Sequence, residues 1–293
     1  MNTLTYILNI ERTWLGMVFV TSLCLGNMNG QTVIDLDEPR VLSKAIVKLQ
    51  ELAPLQAHYE EYPYANALDL QDRTLESTSV QQRMQNPGFR LIVPTSLKLR
   101  VTIPTMDSKN LSNSFSTALN ELCGAMNSAN KSAKFETVSI GDQFLVKPSY
   151  YLNNAGNLTT YKSILDLPVT LSVGKDLPIR VLDSILNQVG AQLKLSVKSM
   201  NFPLMLFGQE RNVGINGTMS ARNAILLLFR QLALPVTEGG AGVRLNYHLY
   251  YDPGINWWGL SVLPLKSIEI SNGVQPPSIP RSDPTSRFGA RQP

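Results

Sequence analysis

Four times along this 293-residue chain a helical stripe of apolar residues runs straight into an alternating strand, and that recurrence restricts the fold more than any other feature. The clearest case is "DLPIRVLDSILNQVGAQLKLSV", Asp176 to Val197. Asp176 suits an N-cap, and Pro178 suits the first turn, where its missing N–H costs nothing. Ile179, Leu182, Ile185, Leu186 and Val189 make one stripe, and Gly190 is the expected stop. Ala191, Leu193, Leu195 and Val197 then alternate with polar residues, as a half-buried strand does. "LPVTLSV" just upstream also alternates, so the unit reads strand, helix, strand.

The other three phrases share this grammar. Leu42, Ala45, Ile46, Leu49 and Leu52 form a stripe that Pro54 ends before a short strand. The helix in "NSFSTALNELCGAM" precedes a strand at Lys134 to Ile140, and "SARNAILLLFRQL" precedes one at Val243 to Tyr251. Further strands are expected near Phe89 to Val93, Lys98 to Ile103, Phe144 to Lys147 and Leu260 to Leu263. The predicted class is α+β, several small modules of short sheets with packed helices. The irregular distances between phrases do not fit a solenoid. "QNPG" at Gln85 to Gly88 and the polar run Leu152 to Ser163 are candidate joints. The expected organisation is a signal peptide over 1–30, α+β modules over 31–152, an α+β domain over 163–272, and a disordered Pro- and Arg-containing tail over 273–293.

The signal peptide rests on "LGMVFVTSLCLG", Leu15 to Gly26, which has the length of an h-region and is too short to span a bilayer. A buried apolar strand or helix is the other reading of that stretch. Leu23 stands before Cys24 where a lipoprotein would carry a small residue. No later segment has the apolar length of a membrane helix, so no integral span is expected after cleavage. The protein is therefore expected to be exported, periplasmic or extracellular. Cleavage leaves Cys123, which shares a helical face with Phe115, Leu119, Leu122 and Met126 and reads as a buried structural thiol. The net charge is only +4, and Lys and Arg are dispersed rather than gathered on a stripe, so a nucleic-acid partner is not expected.

Chemistry-bearing patterns are few. His58 and His248 lie in alternating strands beside tyrosines, away from any His/Cys/Asp cluster with metal spacing, and read as structural. There is no G-x-S-x-G elbow, P-loop or GxGxxG, and the glycines of "EGGAGV" read as a turn. Glu60, Glu61, Asp69 and Asp72 are a local concentration of carboxylates and read as a solvated polar face. Catalytic, metal and cofactor residues are assigned to none. The candidate contacts for a ligand or partner are aromatic: Tyr59, Tyr62 and Tyr64 in "HYEEYPY", and Tyr250, Trp257 and Trp258 around the turn Asp252-Pro253-Gly254, which predicts a hairpin.

The segment from Leu167 to about Leu263 resembles the short N-terminal domain shared by secretins and TonB-dependent receptors. The residues that carry this are Ile179, Leu182, Ile185 and Gly190 in the first helix and Gly217, Ala221, Ala224, Leu227, Leu228 and Leu232 around the second. The resemblance covers about a third of the chain and implies a strand, helix and strand followed by a second helix and a closing strand. With a tail following, no channel domain or receptor barrel is expected after it. The opening region resembles uncharacterised exported bacterial proteins, a family that brings no known activity. The resulting expectation is a non-catalytic docking protein of the bacterial envelope with an envelope-protein partner. A carbohydrate or cell-wall binder with a glycan partner is the alternative, and a hydrolase with a dispersed site is the third.

Overall fold

The computed structural model describes residues 31–77, 90–234 and 242–267. The expected leader segment, the joint at Gln85 to Gly88, the glycines before Gly242 and the tail lie outside them.

The first half comprises β1 (Thr32–Glu38), α1 (Val41–Leu52), β2 (Ala57–Glu60), β3 (Leu70–Asp72), α2 (Thr74–Ser77), β4 (Ile92–Pro94), β5 (Leu97–Ile103), α3 (Leu111–Ala129), β6 (Ala133–Ile140) and β7 (Gln143–Leu152). β8 (Leu158–Thr160) folds back on β7. The second half comprises β9 (Pro168–Asp176), α4 (Pro178–Leu193), β10 (Ser196–Ser199), α5 (Leu204–Phe207), β11 (Arg211–Ser220), α6 (Ala221–Leu232), β12 (Gly242–Asp252) and β13 (Trp257–Ser267). The class is α+β, and the two halves share one sheet in the order β10-β13-β12-β2-β7-β6, with β8 beside β7.

The halves are topological repeats. In each, an outlying antiparallel pair (β1 with β5, β9 with β11) carries the two helices that cover the sheet. In each, the strand after the first helix lies parallel to the last strand (β2 with β7, β10 with β13). That last strand is the second arm of a hairpin (β6 with β7, β12 with β13). Most of the buried helical positions correspond at identical spacing. Val41, Leu42, Ala45, Ile46 and Leu49 of α1 match Val181, Leu182, Ile185, Leu186 and Val189 of α4. Phe115, Ala118, Leu119, Leu122, Cys123 and Met126 of α3 match Ala221, Ala224, Ile225, Leu228, Phe229 and Leu232 of α6.

The halves meet where β12 lies parallel to β2, with His248 opposite Tyr59 and Leu249 opposite Glu60. Following the strand directions across the sheet, β10 and β13 run opposite to β2 and β7. The second half is thus turned over relative to the first, and the helices of the two halves cover opposite faces. Strand alternation on β7 reflects this: Phe144 and Val146 belong to the core under α1 and α3, while Leu145 between them belongs to the core under α4 and α6.

Several local expectations shift. α4 runs through Gly190 to Leu193 and ends on Lys194, whose φ of 55° makes the left-handed turn. Gly190 is needed for close approach instead, because a Cβ there would sit 2.7 Å from the Leu195 carbonyl oxygen. Ala191 and Leu193 are therefore helical, and the strand begins only at Ser196. Leu52 is exposed at the end of α1. Part of the polar run after Leu152 pairs as β8. Asp252-Pro253-Gly254 does turn a hairpin, between β12 and β13.

Candidate functional site: the seam and the open sheet edges

β2 reads Ala57-His58-Tyr59-Glu60, and every residue from Ala57 to Tyr62 is buried. The expectation of a solvated carboxylate face is wrong here: Glu60 and Glu61 are 0% exposed and Asp69 is buried, with only Asp72 near the surface. The reason is that β2 is central in the sheet, so both its faces and both its edges are covered. Glu60 is matched by an arginine of the second half and Glu61 by one of the first.

Glu60 faces the second half. Arg222 on the first turn of α6 donates to its Oε1 from Nη2 at 2.9 Å, and the Tyr247 hydroxyl donates to the same oxygen at 2.9 Å. The Tyr161 hydroxyl reaches Oε2 at 3.4 Å, and Arg222 also pairs with Asp166. Glu61 faces the first half. Arg40 Nε donates to its Oε1 at 2.9 Å and the Tyr251 N–H donates to its Oε2 at 2.9 Å. Arg40 closes this clasp by donating from Nη2 to the Tyr251 carbonyl at 2.8 Å. Burial pushes the Glu61 carboxyl up, and Arg40 works against that shift. Burial also opposes the charge on Arg40, but Glu61 and its neighbouring tyrosines more than offset it and hold the guanidinium protonated.

Two neutral histidines complete the seam. His58 Nδ1 accepts from the Tyr247 N–H at 3.1 Å, so Nε2 carries the proton and donates to Gln143 Oε1 at 2.9 Å. Its ring stacks on Tyr247 at 4.5 Å. His248 Nδ1 lies 2.9 Å from Ser43 Oγ, and its buried Nε2 has no hydrogen-bond partner among the described residues. Burial lowers His58 to about 4 and His248 to about 3. The Ser43–His248 contact has the residue types of a nucleophile and base, but both side chains are closed to solvent.

The aromatic candidates separate into distinct places. Tyr59, Tyr62 and Trp258 are buried, as is Tyr64 at the core margin, while Tyr250 and Trp257 are half-buried. Tyr59 and Trp258 are core residues, which does not suit the contact with a ligand or partner expected of them. The two stretches also serve different places: Tyr59, Tyr62 and Tyr64 line a cleft of about 220 Å³ with Arg40, Asp69 and Asn130, whereas Trp258 packs on Tyr251 with ring centroids 5.0 Å apart. Asp69 Oδ2 is buried in that cleft without a hydrogen-bond partner among the described residues. Cys123 is buried against Thr137, and burial pushes its thiol up to about 11. Among the described residues no group of His, Cys, Asp and Glu is arranged to hold a metal, and no helix is long and apolar enough to cross a membrane.

The sheet ends on β6 and β10, and neither outer edge pairs with another described strand. At the inner end of β6, Asn127 closes the edge: its Oδ1 accepts from the Phe135 N–H at 2.6 Å and its Nδ2 donates to the Phe135 carbonyl at 2.9 Å. That places the Phe135 backbone on the outer side. By strand alternation Thr137 and Ser139 also present their N–H and C=O groups outward. Sequence reasoning had no signal for these edges, because which strand ends a sheet depends on pairing across the whole chain.

Set against known proteins, the chain matches no family model, and no curated protein or solved structure is similar to it.

Proposed function

We propose that the protein is an exported, non-catalytic docking protein of the bacterial envelope that engages other proteins by strand addition at its sheet edges. The observation that carries this reading is the pair of end strands, β6 and β10, whose outer edges pair with no other described strand, on a sheet whose middle is sealed. An unpaired edge offers a row of backbone donors and acceptors, and adding a strand satisfies them. The resemblance of the second half to the short N-terminal domain of secretins and TonB-dependent receptors, and the apolar leader-like stretch, support the envelope location. The test is a photo-crosslinking residue at Ser139 or Ser199, with a control at exposed Ser112 on α3, in the producing cell. A protein adduct at the edge positions and not at Ser112 supports docking. Equal adducts everywhere, or an intact Met1 in the purified protein, contradict it.

A second reading is favoured by one observation, the buried Asp69 oxygen without a partner in the tyrosine-lined cleft. A sugar hydroxyl fits such an acceptor beside aromatic rings. Calorimetric titration with peptidoglycan fragments decides it: binding that Asp69→Asn weakens tenfold or more supports a glycan site, and no heat of binding removes it.

A further inference from the structure

We infer that the protein assembles head to tail with copies of itself, β6 of one molecule lying parallel to β10 of the next. This deepens the docking reading by naming the partner, and it rests on that reading.

The contact is already present once inside the chain. At the seam, β12 of the second half pairs in parallel with β2 of the first. Under the repeat, β12 corresponds to β6 and β2 corresponds to β10. The seam therefore joins one kind of edge to the other kind, and among the described residues the sheet ends on one unused edge of each kind. A contact between unlike surfaces does not use itself up, so each added copy restores both free edges.

The register follows from the hairpins. Ile140 opposite Gln143 corresponds to Asp252 opposite Trp257, which aligns Glu136 with His248 and Thr137 with Leu249. Ala57 opposite Phe144 corresponds to Val197 opposite Trp258, which aligns Tyr59 with Ser199 and Glu60 with Met200. His248 opposite Tyr59 and Leu249 opposite Glu60 thus become Glu136 opposite Ser199 and Thr137 opposite Met200 of the next copy.

The chemistry of the clasp carries over. At the seam Arg40 and Glu61 hold the carbonyl and N–H of Tyr251. The corresponding residues are Arg180, Asn201 and Ser139, all exposed. Guanidinium still donates to a carbonyl, and the Asn201 amide oxygen still accepts from an N–H. The free β10 edge leads directly into Met200, Leu204 and Met205, which are 42%, 71% and 85% exposed and gain cover from a neighbouring molecule. Because the seam is intramolecular and the new contact is not, assembly is concentration-dependent.

The test is sedimentation velocity of the full chain over a wide concentration range, with Thr137→Pro closing one edge and Ser199→Pro closing the other. The wild type is expected to grow past a dimer, each variant alone to stay monomeric, and a 1:1 mixture of the two to stop at dimers. Disulfide trapping guards against misfolded proline variants. In a Cys24→Ser background, Glu136→Cys and Ser199→Cys chains should crosslink with each other and neither with itself. A wild type that stays monomeric at all concentrations, or a Glu136→Cys chain that links to itself, overturns self-assembly. A monomeric wild type that still gives edge-specific adducts to another protein in cells leaves the docking reading standing without it.

Discussion

β2 and β10 occupy the same place in the two repeats and carry opposite sequences. Where β2 has His58, Tyr59, Glu60 and Glu61, the corresponding residues at β10 are Lys198, Ser199, Met200 and Asn201. The first set is wholly buried and the second is exposed or half-exposed. The fold of each half does not require the buried charges, because the second half forms the same topology without them. They belong to the seam. A carboxylate enclosed on all sides persists only with its arginine: Glu60 ties the halves together through Arg222, and Glu61 with Arg40 clasps the Tyr251 backbone of the second half.

The sharpest break in this comparison is removal of one seam partner. Arg222→Ala leaves Glu60 buried and uncompensated and should cost about 3–5 kcal/mol by urea denaturation. Comparably large, Leu42→Ala and Leu182→Ala should each cost about 2–5 kcal/mol, and similar losses are expected because the two leucines occupy equivalent buried sites. A large loss at one and none at the other would contradict the repeat.

Acid should weaken the seam. His58 and His248 are held neutral in the folded chain, whereas the unfolded chain takes up their protons near pH 6.5. Their contribution is intact above that pH and falls as pH drops toward 4. For His58 the loss is on the order of 3 kcal/mol at one pKa unit per about 1.4 kcal/mol. Glu61, raised by burial, protonates first in the folded chain and works in the opposite sense. The check is the urea midpoint at pH 7.5, 6 and 5, where His58→Gln should show a flatter decline than the wild type. The smallest effect is at the counterpart of Arg40: Arg180→Ala should change the stability of the dilute monomer by no more than about 0.5 kcal/mol, as exposed substitutions do.

The parts of the fold governed by local periodicity were legible in the sequence. The α1 and α4 stripes follow helical spacing, and Asp252-Pro253-Gly254 carries its own turn chemistry. Contacts across the chain were not legible. Nothing near Glu60 indicates that Arg222, 162 residues away, will neutralise it, so the cluster looked solvated. Gly190 looked like a helix stop because its need, room for the Leu195 carbonyl, arises only once the chain folds back. The repeat was hidden because equivalent core sites keep burial while changing identity: Phe115 matches Ala221, and Cys123 matches Phe229.

Hydrogen exchange on dilute protein tests the central claim, a sealed seam between open edges, most directly. The Glu61 N–H, bonded to the Leu249 carbonyl at 3.0 Å, should exchange only with global unfolding, while the Thr137 and Ser139 amides should exchange orders of magnitude faster. Equal protection of the two sets, or rapid exchange at Glu61, would contradict it.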